Sequence, residues 1–492
     1  MTDRNRPPST AGTKRSLGSK QLSALLPQSS ERELSYRMLA DAIGRLILDG
    51  QIALRVRLPS ERGLAVVLGI SRTTVTAAYN RLREAGFAHS QRGSGTWTAL
   101  PSGRTLANIA RTVAIDGATI DLARAAPGLS DDVIAQALIA VTPDLAAHAR
   151  TPGYHPHGLL ELREAIAAHY TVRGLATTPE QILVTSGAQH ALTLVLSLLC
   201  GPGDRVLIET PSYPNALEAL RRHRLRPVSV PVGDHGWNTG VLDATLRQSV
   251  PHLAYLIPDF HNPTGLLMPD ATRAHLLHVA QHTGTWLVID ETLAEVALDV
   301  PPPVPFASHA PPRDASRVIT LGSMSKTYWG GLRIGWLRAP SDLVDELASE
   351  RIANDLGGSV LDQLMALHLL KQARTLLPPR LEQLRLQRDA LNAALATHLP
   401  EWSWHLPPGG LSLWVDLGHP IASTIAGQAR DRGIRIESGS CFSIDPGVCE
   451  TRLRIPYTLS PAVLNDAAER LGAAVAEGGT SPPPRRRPQW IA

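Results

Sequence analysis

The stretch GSMSKTYWGGLRIGW, residues 322–336, carries a single lysine, Lys326, with small residues on one side and a Gly-Gly-Leu-Arg turn on the other. That setting suits an aldehyde cofactor: Lys326 supplies the amine for a Schiff base, and Ser323, Ser325 and Arg333 donate to a phosphate. A lone lysine in a loop is ordinarily solvated, so the reading rests on partners elsewhere in the chain. In TSGAQHAL, Gly187, Ala188 and Gln189 stand where a strand turns into a helix and offer backbone N–H groups to a phosphate. Tyr213, in PSYP, supplies a flat ring to stack on a pyridine, and Asn262, in HNPTG, an amide for a phenolic oxygen. Asp290 ends the apolar run LVIDET, where a carboxylate can keep a pyridinium nitrogen protonated and the ring an electron sink. Arg454, in RLRIPYT, is a candidate fork for an α-carboxylate. No glycine-rich nucleotide fingerprint accompanies these residues, so dinucleotide chemistry is not indicated.

Around these motifs, strand-like runs (QILVTSG, DRVLIET, LAYLIPD, TWLVID, RVITLGS) alternate with helical patterns, which predicts an α/β domain with a parallel sheet and crossover helices. Beyond about residue 340 the pattern changes to long helices, Leu343 to Leu370 and Pro379 to Leu399. Strands at LSLWVDL and RLRIPYT and a closing helix from Pro461 to Ala476 follow, as in a smaller α+β lobe. The expected division is one domain over 119–477, with a large lobe of about 156–339 and a small lobe of about 119–155 and 340–477. Residues 478–492, with Arg485, Arg486 and Arg487, have the composition of a disordered basic tail.

The amino-terminal part follows a different pattern. Residues 1–30 lack periodicity and read as a disordered arm. Apolar residues from Tyr36 to Ile47 keep helical spacing in a first helix, Glu33 to Asp49, ended at Gly50. Pro59 and Ser60 open a second helix that Gly69 breaks, and Ser71 caps a third that stops at Gly86. Helix, short glycine-containing turn and helix make a helix-turn-helix, and FAHSQRGSGTWTAL after it reads as a β-hairpin wing. The module spans 31–100, with a linker over 101–118. A recognition helix sets its first turn against base edges, so Ser71, Arg72, Thr73 and Thr74 are the candidate readers. Arg72 can pair with guanine, and Arg62 can reach the backbone or an edge base. Arg81 and Arg83 read as a solvated face. Charge agrees: residues 1–118 hold 17 Lys/Arg against 8 Asp/Glu, a net of +9, while the chain's +4 leaves −5 for the rest. A basic module of this kind suits an anionic partner.

A length of 492 residues implies two to four domains. The longest apolar stretch, Ala191 to Cys200, is half of what a bilayer span needs, and the first residues lack the apolar run of a secretory signal. Three cysteines without paired spacing indicate neither a disulfide frame nor a metal site. No membrane association is expected, and a cytoplasmic setting follows.

Two resemblances emerge from these motifs. LPSERGLAVVLGISRTTVTAAYNRLREAGF followed by GSGT resembles the GntR-type winged helix-turn-helix family, over about Ser35 to Ala99. This implies double-stranded operator DNA bound by a dimer, with Arg62, Arg72, Thr73, Thr74 and the wing residue Gly95 at the contact. At Thr76 some members carry a further Arg, so base preference does not carry over. Residues 119–477 resemble fold-type I aminotransferases through the order Gly-Ala-Gln, Tyr, Asn-Pro-Thr-Gly, Asp, Ser-x-Ser-Lys, Arg, Arg, which implies pyridoxal 5'-phosphate on Lys326. GYHPHG resembles the loop in which a tyrosine, here Tyr154, reaches the neighbouring subunit's phosphate. Many members carry Tyr two residues after the aspartate where this chain has Thr292, and threonine is too short to replace it. The two modules in one chain resemble the MocR subfamily of regulators. That resemblance implies a head-to-tail dimer in which DNA-binding domains cross over, and a response to an amine, an amino acid or the cofactor itself. Two alternatives stay open: an active aminotransferase with an accessory DNA-binding domain, and a DNA-binding protein whose cofactor site is only a structural relic.

Overall fold

Short polar caps and apolar stripes decide the first module. The computed structural model describes residues 16–26, 35–91, 95–101, 119–309, 311, 315–445 and 447–478. Helices α1 (Ser19–Leu25), α2 (Tyr36–Leu48), α3 (Glu61–Leu68) and α4 (Arg72–Glu84) precede a hairpin of β1 (Ala88–Gln91) and β2 (Gly95–Thr98). The side chains of Ser35, Ser60 and Ser71 each accept a bond from the first-turn N–H of Met38, Gly63 and Thr74, satisfying donors that a helix start leaves open. Leu39, Ile43, Ile47, Leu64, Val75, Tyr79 and Leu82 close one core.

Part of the expected disordered arm is ordered. Residues 19–25 form α1, and Leu22, fully buried, joins the same core. A single buried leucine in seven residues is too short a pattern to show as periodicity. Residues 1–15, 27–34, the wing tip 92–94, the linker 102–118 and the tail 479–492 lie outside the described residues.

The second domain is built on an eight-stranded mixed sheet. Its strands are β4 (Ile182–Thr185), β5 (Arg205–Thr210), β6 (Arg226–Gly233), β7 (Gly236–Trp237), β8 (Leu253–Leu256), β9 (Trp286–Asp290), β10 (Val318–Ser323) and β11 (Gly335–Arg338), in the order β4-β11-β10-β9-β8-β5-β6-β7. The central β10, β9, β8, β5 and β6 are parallel and largely apolar and buried, as strands covered on both faces must be. β11 runs antiparallel to both neighbours. A five-stranded sheet carries the smaller lobe: β3 (Ile120–Leu122), β12 (Ser403–Trp404), β13 (Ser412–Asp416), β14 (Ile434–Ser438) and β15 (Arg452–Pro456), in the order β12-β13-β15-β14-β3.

Three sequence boundaries are corrected. The helix expected from Leu343 to Leu370 is two, Ser341–Arg351 and Val360–Lys371, because Gly357 passes at φ +134° against the backbone of His155. The next helix starts at Ala373, before its two prolines, held by burial of Leu384, Leu391 and Leu395. The helices Asp131–His148 and Val360–Lys371 pack with the large sheet, so in the carboxy-terminal half the small-lobe core begins near Leu384 rather than at 340, joined by Leu122 from β3.

Candidate cofactor site and DNA face

The site lies at the carboxyl ends of the parallel strands, where open α/β sheets leave a crevice. β4 leads to Gly187 and the helix Ala188–Leu199, β5 to Tyr213, β8 to Asn262, β9 ends on Asp290 and β10 on Ser323. A cavity of about 220 Å³ is lined by all ten large-lobe candidates: Gly187, Ala188, Gln189, Tyr213, Asn262, Asp290, Ser323, Ser325, Lys326 and Arg333.

At one end is an anion cradle. The helix Ala188–Leu199 has no side-chain cap, so the N–H groups of its first turn face the cavity end of the helix with its dipole behind them. Gly187 at φ +104° leaves space for Arg333, whose guanidinium would stand 3.1 Å from a Cβ there and donates to the Ser186 carbonyl. The Ser323 hydroxyl donates to the Ser325 hydroxyl at 3.0 Å and accepts from the Ser325 N–H at 3.1 Å.

At the other end is Asp290, buried. Its Oδ1 accepts from the Thr292 N–H at 3.0 Å and its Oδ2 from the Tyr255 hydroxyl at 2.6 Å. Burial pushes its pKa up, and the bonds from Tyr255 and Thr292 oppose this. Tyr255 was missed in the sequence, although a tyrosine inside the apolar run LAYLIPD signals a buried hydroxyl in need of a partner. Thr292 thus serves Asp290 and supplies no phenol to the site.

Lys326 donates from Nζ to the Ala125 carbonyl at 2.8 Å. Burial, then the charge of Arg454, lowers its pKa to about 8 against the pull of Asp290, so an appreciable fraction is neutral and nucleophilic at pH 7. Arg454 lies beside the cavity, fully enclosed. It donates to the Ala123 carbonyl and reaches Asn262 Oδ1 at 3.5 Å, while its Nε has no partner. Burial lowers its pKa to about 10, which leaves it a cation at neutral pH. An enclosed guanidinium with an orphaned donor fits an anionic group. Tyr154 is not at this cavity: it is 67% exposed.

On the winged domain, Arg62, Arg72 and Thr73 are exposed on one end of the helix pair, and Thr74 is tied to the Ser71 cap. Gly95 opens β2 in an exposed position beside Arg57. Thr76, where some GntR-type members carry Arg, donates to Glu61 at 2.8 Å, and Glu61 pairs with Arg72 Nε at 3.6 Å. Of the two arginines read as solvated, Arg81 meets exposed Asp41 at 3.4 Å. Arg83 instead ties α4 to the wing through Ser90 at 3.1 Å and Thr96 at 3.2 Å.

Fold and site together define a fold-type I aminotransferase domain carrying a winged helix-turn-helix module. The chain belongs to the class I and II aminotransferase family, which residues 120–471 match, and residues 35–97 match the GntR family of bacterial regulatory proteins. This is the MocR architecture. The HTH-type transcriptional regulator TauR of Rhodobacter capsulatus is 28% identical over 92% of this chain and 99% of its own. The probable rhizopine catabolism regulatory protein MocR of Rhizobium meliloti is 31% identical over 65% of this chain and 68% of its own. Among solved structures, the α-aminoadipate aminotransferase LysN of Thermus thermophilus, complexed with N-(5'-phosphopyridoxyl)-L-leucine, superposes with a TM-score of 0.68. It is 28% identical and covers 73% of this chain and 93% of its own. The protein is a DNA-binding regulator with an aminotransferase-like domain. Among the described residues no helix is long and apolar enough to cross a membrane.

Proposed function

We propose that this regulator holds pyridoxal 5'-phosphate on Lys326, senses a small amine or amino acid there, and acts in the cytoplasm on double-stranded operator DNA as a homodimer. The observation that carries the reading is the convergence of the lowered-pKa Lys326 amine, buried Asp290 and the anion cradle on one cavity. When bound, the cofactor supplies an aldehyde on which primary amines exchange and a ring that withdraws electrons. Ala188, Gln189, Ser323, Ser325 and Arg333 would hold its phosphate, Tyr213 would cover its ring, and Asn262 and Asp290 would bond its phenolic oxygen and ring nitrogen. Arg454, unpartnered at Nε, would receive an effector carboxylate. Sensing rather than turnover is supported by Thr292, which serves Asp290 through its backbone N–H and brings no phenol to the cavity from that position.

A dimer is supported by the exposed apolar face of the helix Asp131–His148, with Leu138 42% and Ile139 75% exposed, and by Tyr154, which points at nothing in its own site. Thr451 Oγ1 and Asp49 Oδ1 lie 2.5 Å apart between the two domains. Cysteines placed at both positions would oxidise within one chain if the DNA-binding domain docks on its own sensor, and between chains in the head-to-tail exchange.

The test is paired. Purified protein should show visible absorbance with the cofactor and bind duplexes enriched from a random pool. Lys326→Ala should lose the visible band and the response to amines while keeping DNA affinity. A variant with the wild-type spectrum overturns the assignment of Lys326. The second reading, an active aminotransferase, is favoured by the intact cavity and by 31% identity, over 66% of this chain, to the 2-aminoadipate transaminase of Thermus thermophilus. Keto-acid-dependent multiple turnover would establish it.

A further inference from the structure

Phe442 belongs to two structures at once. Its ring lies 4.8 Å from the Arg454 guanidinium, a cation–π contact at the proposed effector fork. Its carbonyl accepts at 2.8 Å from the N–H of Ser212, next to the stacking residue Tyr213. The same ring meets Trp414 edge-on at 5.6 Å and closes a buried cluster with Val448 and Cys449. Onto that cluster pack Leu54 and Leu100, both from the DNA-binding domain.

Polar contacts fix the seam around this cluster. The Cys449 N–H donates at 2.6 Å to the carbonyl of Leu48, the last residue of α2, taking up an acceptor that a helix end leaves open. Thr451 Oγ1 donates to Asp49 Oδ1 at 2.5 Å, and Arg55 pairs with Asp445 at 2.7 Å. Gly50, at φ +74°, sits so close that a Cβ would stand 2.9 Å from Val448 and 3.1 Å from Thr210, three residues before Tyr213. Cys449 adopts φ +61°, a conformation that a side-chain-bearing residue keeps only where surrounding contacts hold it.

We infer that the floor of the effector site and the docking face of the DNA-binding domain are one unit, joined at Phe442. In this unit the clasp of Leu48–Gly50 against Val448–Thr451 transmits effector occupancy to DNA affinity. The inference rests on the sensor reading above and names its route. A carboxylate at Arg454 replaces the Ala123 carbonyl, neutralises the guanidinium and weakens its hold on the Phe442 ring. That change in contacts is the differential interaction by which a ligand shifts a docking equilibrium. Linkage makes the effect reciprocal, so DNA must change ligand affinity by the same factor.

The test uses the full-length protein, a fluorescent duplex enriched from a random pool, and two stable conjugates: N-(5'-phosphopyridoxyl)-L-leucine and its counterpart lacking only the carboxylate, N-(5'-phosphopyridoxyl)-3-methylbutylamine. In the wild type the leucine conjugate should change the DNA dissociation constant by about tenfold, the size of typical allosteric coupling. The amine conjugate should do much less. Thr451→Val and Arg55→Ala, singly and together, should bind the conjugate, shift the ligand-free DNA dissociation constant toward the wild type's effector-bound value and bring the coupling below twofold, and Thr451→Ser should restore both. If the leucine conjugate shifts DNA affinity equally in wild type and both variants, the route is wrong and the sensor reading stands. If it binds the wild type with no effect on DNA, the inference falls. Failure of both conjugates to bind overturns the cofactor reading itself.

Discussion

Replacing Lys326 by methionine should make the cofactor-free protein more stable below pH 8. In the unfolded chain the amine has its ordinary pKa of 10.5, and in the folded protein about 8. The folded state therefore binds its proton less tightly, and protonated Lys326 opposes folding. The difference of about 2.5 units corresponds to about 3 kcal/mol. The side chain keeps partial exposure to the cavity, and its bond to the Ala125 carbonyl, worth about 1 kcal/mol, is lost with the amine. A net gain of about 1–2 kcal/mol remains for Lys326→Met, whose chain fills the same space without charge. The gain is complete below pH 8, shrinks as pH rises from 8 to 10.5, and vanishes above that, because the wild-type amine is then neutral in both states. Urea unfolding of both proteins, followed by near-ultraviolet circular dichroism at pH 7 and pH 10.5, measures it. Equal or lower stability of the variant at pH 7, or an undiminished gain at pH 10.5, would refute the placing of this amine in a desolvating, cationic setting.

Other expectations concern single contacts. Arg72→Ala should cost about 1–3 kcal/mol in specific DNA binding at fixed salt, with an unchanged cofactor spectrum, if its guanidinium makes the proposed base contact, far from the cavity; anisotropy titration checks it. Tyr255→Phe removes the 2.6 Å bond to Asp290, so the Asp290 pKa should rise further and its grip on a ring nitrogen weaken. Titration of the cofactor's absorbance should show affinity about fivefold lower, the loss of roughly 1 kcal/mol. Leu22→Ala should destabilise the DNA-binding domain by about 2–4 kcal/mol, since that side chain is fully enclosed. Thermal unfolding decides whether the segment is a structural helix or a passive arm.

The motifs around Lys326 were legible because the chemistry demands particular residue types beside strand ends, and each end shows as an apolar run. The same holds for Ser60, Gly69 and Ser71, whose backbone roles restrict what can stand there. What the sequence concealed has no such local signature. Tyr255 lies in a strand like any other aromatic, and its role depends on a neighbouring strand 35 residues on. Helix α1 carries one buried leucine, and Arg83 differs from Arg81 only in what the wing brings to it. The domain seam is further still from sequence reading: Leu48 and Cys449 are each unremarkable until some 400 residues of chain fold back to pair them.

The phosphate cradle also bears on how such a regulator can arise. Its proposed anchors are main-chain groups at a helix start, two serines that bond each other at the end of β10, and an arginine accommodated by Gly187. The helix start and the end of β10 are parts of the fold, so these groups stand in place whether or not the site turns over. Position 292 is under no such double constraint: as threonine it still donates its backbone N–H to Asp290. One substitution there can remove a catalytic phenol while the ligand pocket persists. For the proposed sensor, descent from an enzyme would need no intermediate that has lost its ligand, only one in which retention of the ligand outlives the advantage of turning it over.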